Sequence, residues 1–132
     1  MTQNIYDTPA FFAGYSQMGR SLQGLAGAPE WPALQALLPL MQGLKVVDLG
    51  CGPGNVTRLL AGRWPEAQIT GIDASAAMLE RAHLALPEAR FELADIRSWT
   101  PAEAPDLIFS NAALHWLEAH PTLFARLLGL LA

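Results

Sequence analysis

Short β-branched runs alternate along this chain with longer stretches of helical spacing, beginning at Lys45-Val46-Val47-Asp48-Leu49. Glycines follow that run at once, and Val56, Leu59, Leu60 and Trp64 then recur at helical intervals, so the pattern predicts strand, glycine turn, helix. The same alternation returns downstream. Residues 68–72 read as a second strand, 76–86 as a helix, 90–94 as a third strand and 106–109 as a fourth. Pro65, Pro87, Pro101 and Pro105 fall between or beside these elements, where they interrupt nothing. Upstream, Trp31, Leu34, Leu37, Leu38 and Met41 have helical spacing, with Pro32 suited to a first turn and Gly43 to an end. Residues 112–117 and 121–131 read as helical, the second with Leu123, Leu127, Leu130 and Leu131 on its apolar side.

Alternating strands and helices imply a parallel sheet covered by helices on its faces, an α/β architecture of three layers. Residues 1–29 fit that scheme differently. They mix Tyr6, Phe11, Phe12 and Tyr15 with four glycines and suggest short turns, a lid or cap ahead of a domain over 30–132.

Composition narrows the function. A chain of 132 residues with 52% hydrophobic content fits one globular domain. Its formal charge of -4 and eight scattered Lys and Arg residues argue against a nucleic-acid partner. Cys51 is the single cysteine, so an internal disulfide is excluded, and it does not sit with histidines at metal-ligand spacing. No metal is expected. The start of the chain has neither a basic cluster nor an apolar run, and no apolar stretch approaches the roughly 20 residues of a spanning helix. A cytoplasmic protein without membrane contact is the expectation.

In a parallel sheet, ligands collect beyond the carboxyl ends of the strands. After the first strand stand Gly50, Gly52 and Gly54, which let the backbone approach a ligand closely and could present amides at a helix start. After the second comes Asp73, whose two oxygens suit the hydroxyl pair of a ribose. Asp95 follows the third strand, and Ser110 and Asn111 the fourth. The spacing Gly-x-Gly-x-Gly differs from the dinucleotide fingerprint Gly-x-Gly-x-x-Gly, which disfavours a nicotinamide-dependent oxidoreductase. A nucleoside ligand of another kind is indicated.

The string Val46-Val47-Asp48-Leu49-Gly50-Cys51-Gly52-Pro53-Gly54 resembles the first motif of class I S-adenosylmethionine-dependent methyltransferases. Gly71-Ile72-Asp73-Ala74-Ser75, with Met78, resembles the second. Through Ala94-Asp95-Ile96 and 109–116, the run from Val46 to Leu117 is similar to trans-aconitate methyltransferases and their small-molecule relatives, and shares much with malonyl-carrier-protein methyltransferases. The stretch from Tyr6 to Leu25 looks more like the lid of other members of the superfamily.

The resemblance implies a Rossmann-like sheet in the order 3-2-1-4, lacking the later strands of the family, and S-adenosyl-L-methionine as cofactor with S-adenosylhomocysteine as product. It places Asp48, Gly50, Cys51, Gly52 and Gly54 on the methionine side, Asp73 on the ribose, and Ala74, Met78, Asp95 and Ile96 around the adenine. Asn111 and Ala112 would lie near the sulfonium. The Asp95 carboxylate would accept from the exocyclic amine.

The residues themselves leave other readings open. Met78 is equally a core residue, Trp99 is expected to pack beneath a loop, and His83 and His120 are expected at the surface. His115 is the candidate catalytic residue, as a base or a substrate-orienting group, with a structural role as the alternative. A carboxylate acceptor is ionised at neutral pH and needs no base; an amine, phenol or carbon acceptor does. The fourth strand would leave an open apolar edge, so self-association or pairing with a complementary fragment is expected. The alternative function is a cofactor-binding fragment without turnover.

Overall fold

The computed structural model describes residues 8–15, 17, 29–37, 43–111 and 113–132. Two helices precede the sheet, α1 (Pro9–Tyr15) and α2 (Trp31–Leu37). Most of the expected lid and residues 38–41 of the helix expected after Glu30 lie outside the described residues. From there the order is β1 (Lys45–Leu49), α3 (Asn55–Arg63), β2 (Gln68–Asp73), α4 (Ala76–Ala85), β3 (Arg90–Leu93), β4 (Leu107–Ser110), a short 3-10 turn (Leu114–Trp116) and α5 (His120–Gly129).

The four strands form one parallel sheet in the order β3-β2-β1-β4. β1 lies inside it because its side chains are apolar on both faces: Val46, Val47 and Leu49 are all buried. Pleating divides them. Val46 joins Leu60, Trp64, Ile69 and Phe109 on the α3 side. Val47 and Leu49 join Ile72, Ile96, Trp99, Leu123 and Leu127 on the α5 side. Trp99 packs beneath its loop as expected. The register aligns Leu49 with Ile72 and with Ser110, and Asp73 with Leu93, so all four strands deliver their following residues to one end.

Three boundaries shift from the sequence pattern. Asp73 completes β2, since its carbonyl still accepts from Ala94 N–H. Asp106 falls outside β4 because it closes the ladder from below: its amide donates to the Lys45 carbonyl while its carboxylate accepts from Lys45 N–H. The helix expected over 112–117 contracts to a single 3-10 turn, whose His115 and Trp116 face solvent.

Candidate functional site

Gly50, Gly52 and Gly54 all adopt positive φ (71°, 55° and 88°), a region that residues with a Cβ enter only at a cost. The turn is tied to β2 at each step. Gly50 and Cys51 N–H donate to the Ile72 carbonyl at 2.7 and 3.0 Å, and Gly52 N–H donates to Asp73 Oδ2 at 2.9 Å. Gly54 N–H donates to the Cys51 carbonyl at 3.2 Å. These amides are therefore satisfied within the chain. At those four positions the turn presents bare Cα positions rather than free N–H groups.

The three glycines have different neighbours. A Cβ on Gly50 would overlap that of Ala113, so its missing side chain admits the turn after β4. One on Gly54 would come within 3.2 Å of the Ala82 Cβ on α4. At Gly52 nothing among the described residues lies within 4 Å, which leaves the turn open to a ligand there.

Asp73 is the junction of the site. While Oδ2 holds Gly52 N–H, Oδ1 accepts from Ser75 N–H at 2.8 Å, so one half-buried carboxylate sets both the glycine turn and the start of α4. Ser75 then caps α4 by accepting from Met78 N–H at 3.2 Å, a bond worth about 1 kcal/mol to such a helix. Beneath the turn Asp48 is buried and accepts from Thr57 Oγ1 at 2.8 Å. Burial pushes the Asp48 carboxyl up to about 7, the Asp73 charge adds to this, and the Thr57 bond opposes it. Burial, with the charges of Asp48 and Asp73, also pushes up the Cys51 thiol, which favours the protonated and unreactive form.

The raised Asp48 carboxyl has a signed consequence. Its native state holds a proton that the unfolded chain releases near 4, so the Asp48 contribution to stability falls as pH rises from about 4 to about 7 and is flat above. Asp95, held low by Arg97, and Glu103, held low by Lys45, act only below the ordinary carboxylate range and with the opposite sign. We expect Asp48→Asn to flatten the profile between pH 4 and 7 in urea titrations and to exceed the parent in stability at pH 8 by roughly 2–4 kcal/mol. An unchanged slope would show that Asp48 is ionised in the fold.

Around the same end, Ala74 is exposed, Met78 is 2% exposed and packed in the core, and Ile96 is buried with Trp99. Asp95 turns its carboxylate to Arg97, which donates from its backbone N–H at 2.9 Å and from Nε and Nη2 at 2.6–3.1 Å. Ser110 Oγ donates to the Leu49 carbonyl at 3.0 Å, binding the ends of β4 and β1 together. Asn111 is half-buried beside it in sequence, and Ala112 lies outside the described residues. His115 is exposed and packs on Trp116, with ring centroids 4.9 Å apart. His83 is exposed and meets Phe91 edge-on at 5.1 Å. His120 differs from its expected surface placement: it is half-buried, with Nε2 2.8 Å from the Leu114 carbonyl oxygen, a contact that joins α5 to the preceding turn.

Residues 46–132 match the model of a methyltransferase domain. The chain belongs to the class I S-adenosylmethionine-dependent methyltransferases. It is 61% identical over 102 residues to trans-aconitate 2-methyltransferase of Delftia acidovorans, an alignment covering 75% of this chain and 38% of that protein. Among solved structures, an S-adenosylmethionine-dependent methyltransferase from Mesorhizobium loti shares 41% identity with a TM-score of 0.73, covering 83% of this chain and 51% of that one. The plantazolicin methyltransferase BpumL in complex with SAH has 28% identity and a TM-score of 0.62, over 67% of this chain and 35% of that one. The chain thus spans about two fifths of the length of the curated relatives it matches.

The cofactor of this family is S-adenosyl-L-methionine, released as S-adenosylhomocysteine. The residues present fit it: Gly52 leaves open space above the turn, and the half-buried Asp73 carboxylate beside it offers acceptors that a diol can share. A cavity of about 870 Å³ opens elsewhere, at the amino ends of the strands, between Lys45, Trp64, Gln68, Arg90, Trp99 and Pro105. None of Asp48, Gly50, Cys51, Gly52, Gly54, Asp73, Ala74, Met78, Asp95, Ile96 and Asn111 borders it. Among the described residues no helix is long and apolar enough to cross a membrane, and no three His, Cys, Asp or Glu side chains gather as a metal site. Thr57 and Ser75 brace Asp48 and Asp73, although neither stands among the candidate cofactor-binding residues of the sequence. Ser75, three residues before Met78, carries a helix-cap signature; Thr57 carries none.

Proposed function

We propose that this chain forms the cofactor site of a methyltransferase whose acceptor is a small carboxylate of the trans-aconitate type. The observation that carries the reading is the Asp73 junction, together with the 61% identity to a trans-aconitate 2-methyltransferase across the same residues. S-adenosylmethionine, when bound, supplies an electrophilic methyl on a sulfonium and departs as a neutral thioether. The chain's residues bind and orient. Asp73 holds the ribose hydroxyls; Ala74, Met78, Asp95 and Ile96 border the adenine; Gly50, Cys51, Gly52 and Gly54, over the buried Asp48, receive the methionine portion. Asn111 and Ala112 flank the reacting end.

A carboxylate acceptor arrives ionised, so alignment at near-contact distance supplies the rate and no proton need be removed. His115 then serves to orient the acceptor rather than to act as a base. On this reading residues 1–29 close over the site as a lid, the lone thiol suits the reducing cytoplasm, and the outer edge of β4 is covered by a second copy or a complementary segment.

The test is product detection. The chain is incubated with S-adenosylmethionine carrying a labelled methyl and with trans-aconitate, then with amine and phenol acceptors. Label in a base-labile ester only with the carboxylate is the expected result. Tight S-adenosylhomocysteine binding with no labelled product would instead favour a binding module without turnover.

A further inference from the structure

The turn after β3 is fixed from an unexpected quarter. Ser98 and Trp99 N–H both donate to the Asp95 carbonyl, at 3.1 and 2.8 Å, which winds 95–99 into one compact turn. The carbonyls of Ile96 and Trp99 then lack partners within that turn. Arg126 of α5 supplies both, through Nη1 to the Trp99 oxygen at 2.8 Å and Nη2 to the Ile96 oxygen. The arginine is half-buried, and its neighbours Leu123 and Leu127 pack against Ile96 and Trp99 themselves. A planar guanidinium is suited to this double contact because its donors diverge in a fixed fork, which a lysine cannot reproduce.

We propose that Arg126 is a positioning residue for base recognition: by holding the Ile96 and Trp99 carbonyls it sets the turn that aims Asp95 at the exocyclic amine of an adenine. The assignment rests on the reading of Asp95 and Ile96 as the adenine side of the site. It also joins α5 to the base-recognition turn by hydrogen bonds, beside the apolar contacts of Leu123 and Leu127. Arg97, by contrast, is exposed and grips Asp95 from solvent, where an ion pair contributes little.

The experiment compares S-adenosylhomocysteine with S-inosylhomocysteine, in which the amine is replaced by a carbonyl, on the 132-residue chain. The parent should prefer the adenine compound by at least about tenfold, since a carboxylate facing a carbonyl is left unpaired. Arg126→Leu should weaken S-adenosylhomocysteine by about tenfold and bring the two compounds to near-equal affinity. Arg126→Lys should restore part of the preference. Asp73→Asn serves as control, because it should weaken both compounds alike and leave their ratio intact. A folded Arg126→Leu that keeps the parental ratio overturns the assignment. Should that variant not fold, Arg126→Lys decides: an ammonium without the planar fork that leaves the full preference overturns it as well. A parent that binds S-adenosylhomocysteine without preferring it removes Asp95 from base recognition and the proposal with it, whereas a parent that binds neither compound overturns the cofactor reading itself.

Discussion

Asp73→Ala is expected to lower the affinity of the chain for S-adenosylhomocysteine by at least about a hundredfold. Hydrogen bonds to a charged acceptor contribute about 1.5–3 kcal/mol each, and two ribose hydroxyls would lose theirs together. The substitution also frees Gly52 and Ser75 N–H, which now share the carboxylate, so the glycine turn and the start of α4 loosen in the same step. Asp73→Asn separates the contributions, because one oxygen remains to accept while the amide cannot accept at both positions. An intermediate loss is expected for it. Calorimetric titration of the three proteins, each shown to be folded by circular dichroism, checks the series; equal affinity for parent and Asp73→Ala would remove the carboxylate from the site.

The largest effect on stability is expected at Trp64. Its side chain is fully buried against Val46, Leu60 and Ile69, and truncation of such a residue to alanine costs about 3–5 kcal/mol. Against a total of about 5–15 kcal/mol for a domain, that is a large share of the fold. Trp64→Phe should behave differently. Among the described residues the indole Nε1 has no hydrogen-bond partner, so phenylalanine removes an unsatisfied donor while giving up part of the ring. The two effects oppose one another, and a net change within about 1.5 kcal/mol is expected. Urea unfolding of both variants checks the pair. A loss for Trp64→Phe close to that of Trp64→Ala would mean that the indole nitrogen is satisfied in solution.

Much of the arrangement was legible in the residues because local pattern and tertiary role coincide there. Lys45–Leu49 is short, apolar on both faces and followed by glycines that must take positive φ, so strand, turn and helix can each be read separately. Asp73 could be found for a similar reason: a carboxylate that ends a parallel strand lies on the ligand side of the sheet. What escaped depends on contacts between distant positions. Thr57 matters because α3 lays it on Asp48, and Arg126 because α5 carries it to the carbonyls of Ile96 and Trp99. Neither residue has a local signature. His120 was read as a surface residue since nothing in its neighbourhood marks the Leu114 carbonyl as its partner. The glycine turn is the instructive case. Its spacing announces a ligand loop, yet the fold uses Gly50 to admit Ala113 and satisfies the amides internally, leaving Gly52 as the open approach.

We propose that the cofactor sits at the carboxyl ends of β1 and β2 and not in the cavity at their amino ends. Amide chemical-shift mapping of the isotope-labelled chain on addition of S-adenosylhomocysteine tests it most directly. Large shifts are expected at Gly50 to Gly54, Asp73 to Ser75 and Asp95 to Ile96, with Lys45, Gln68 and Arg90 unmoved. Shifts centred on Trp64, Gln68 and Arg90, or no shifts at saturating ligand, would contradict it.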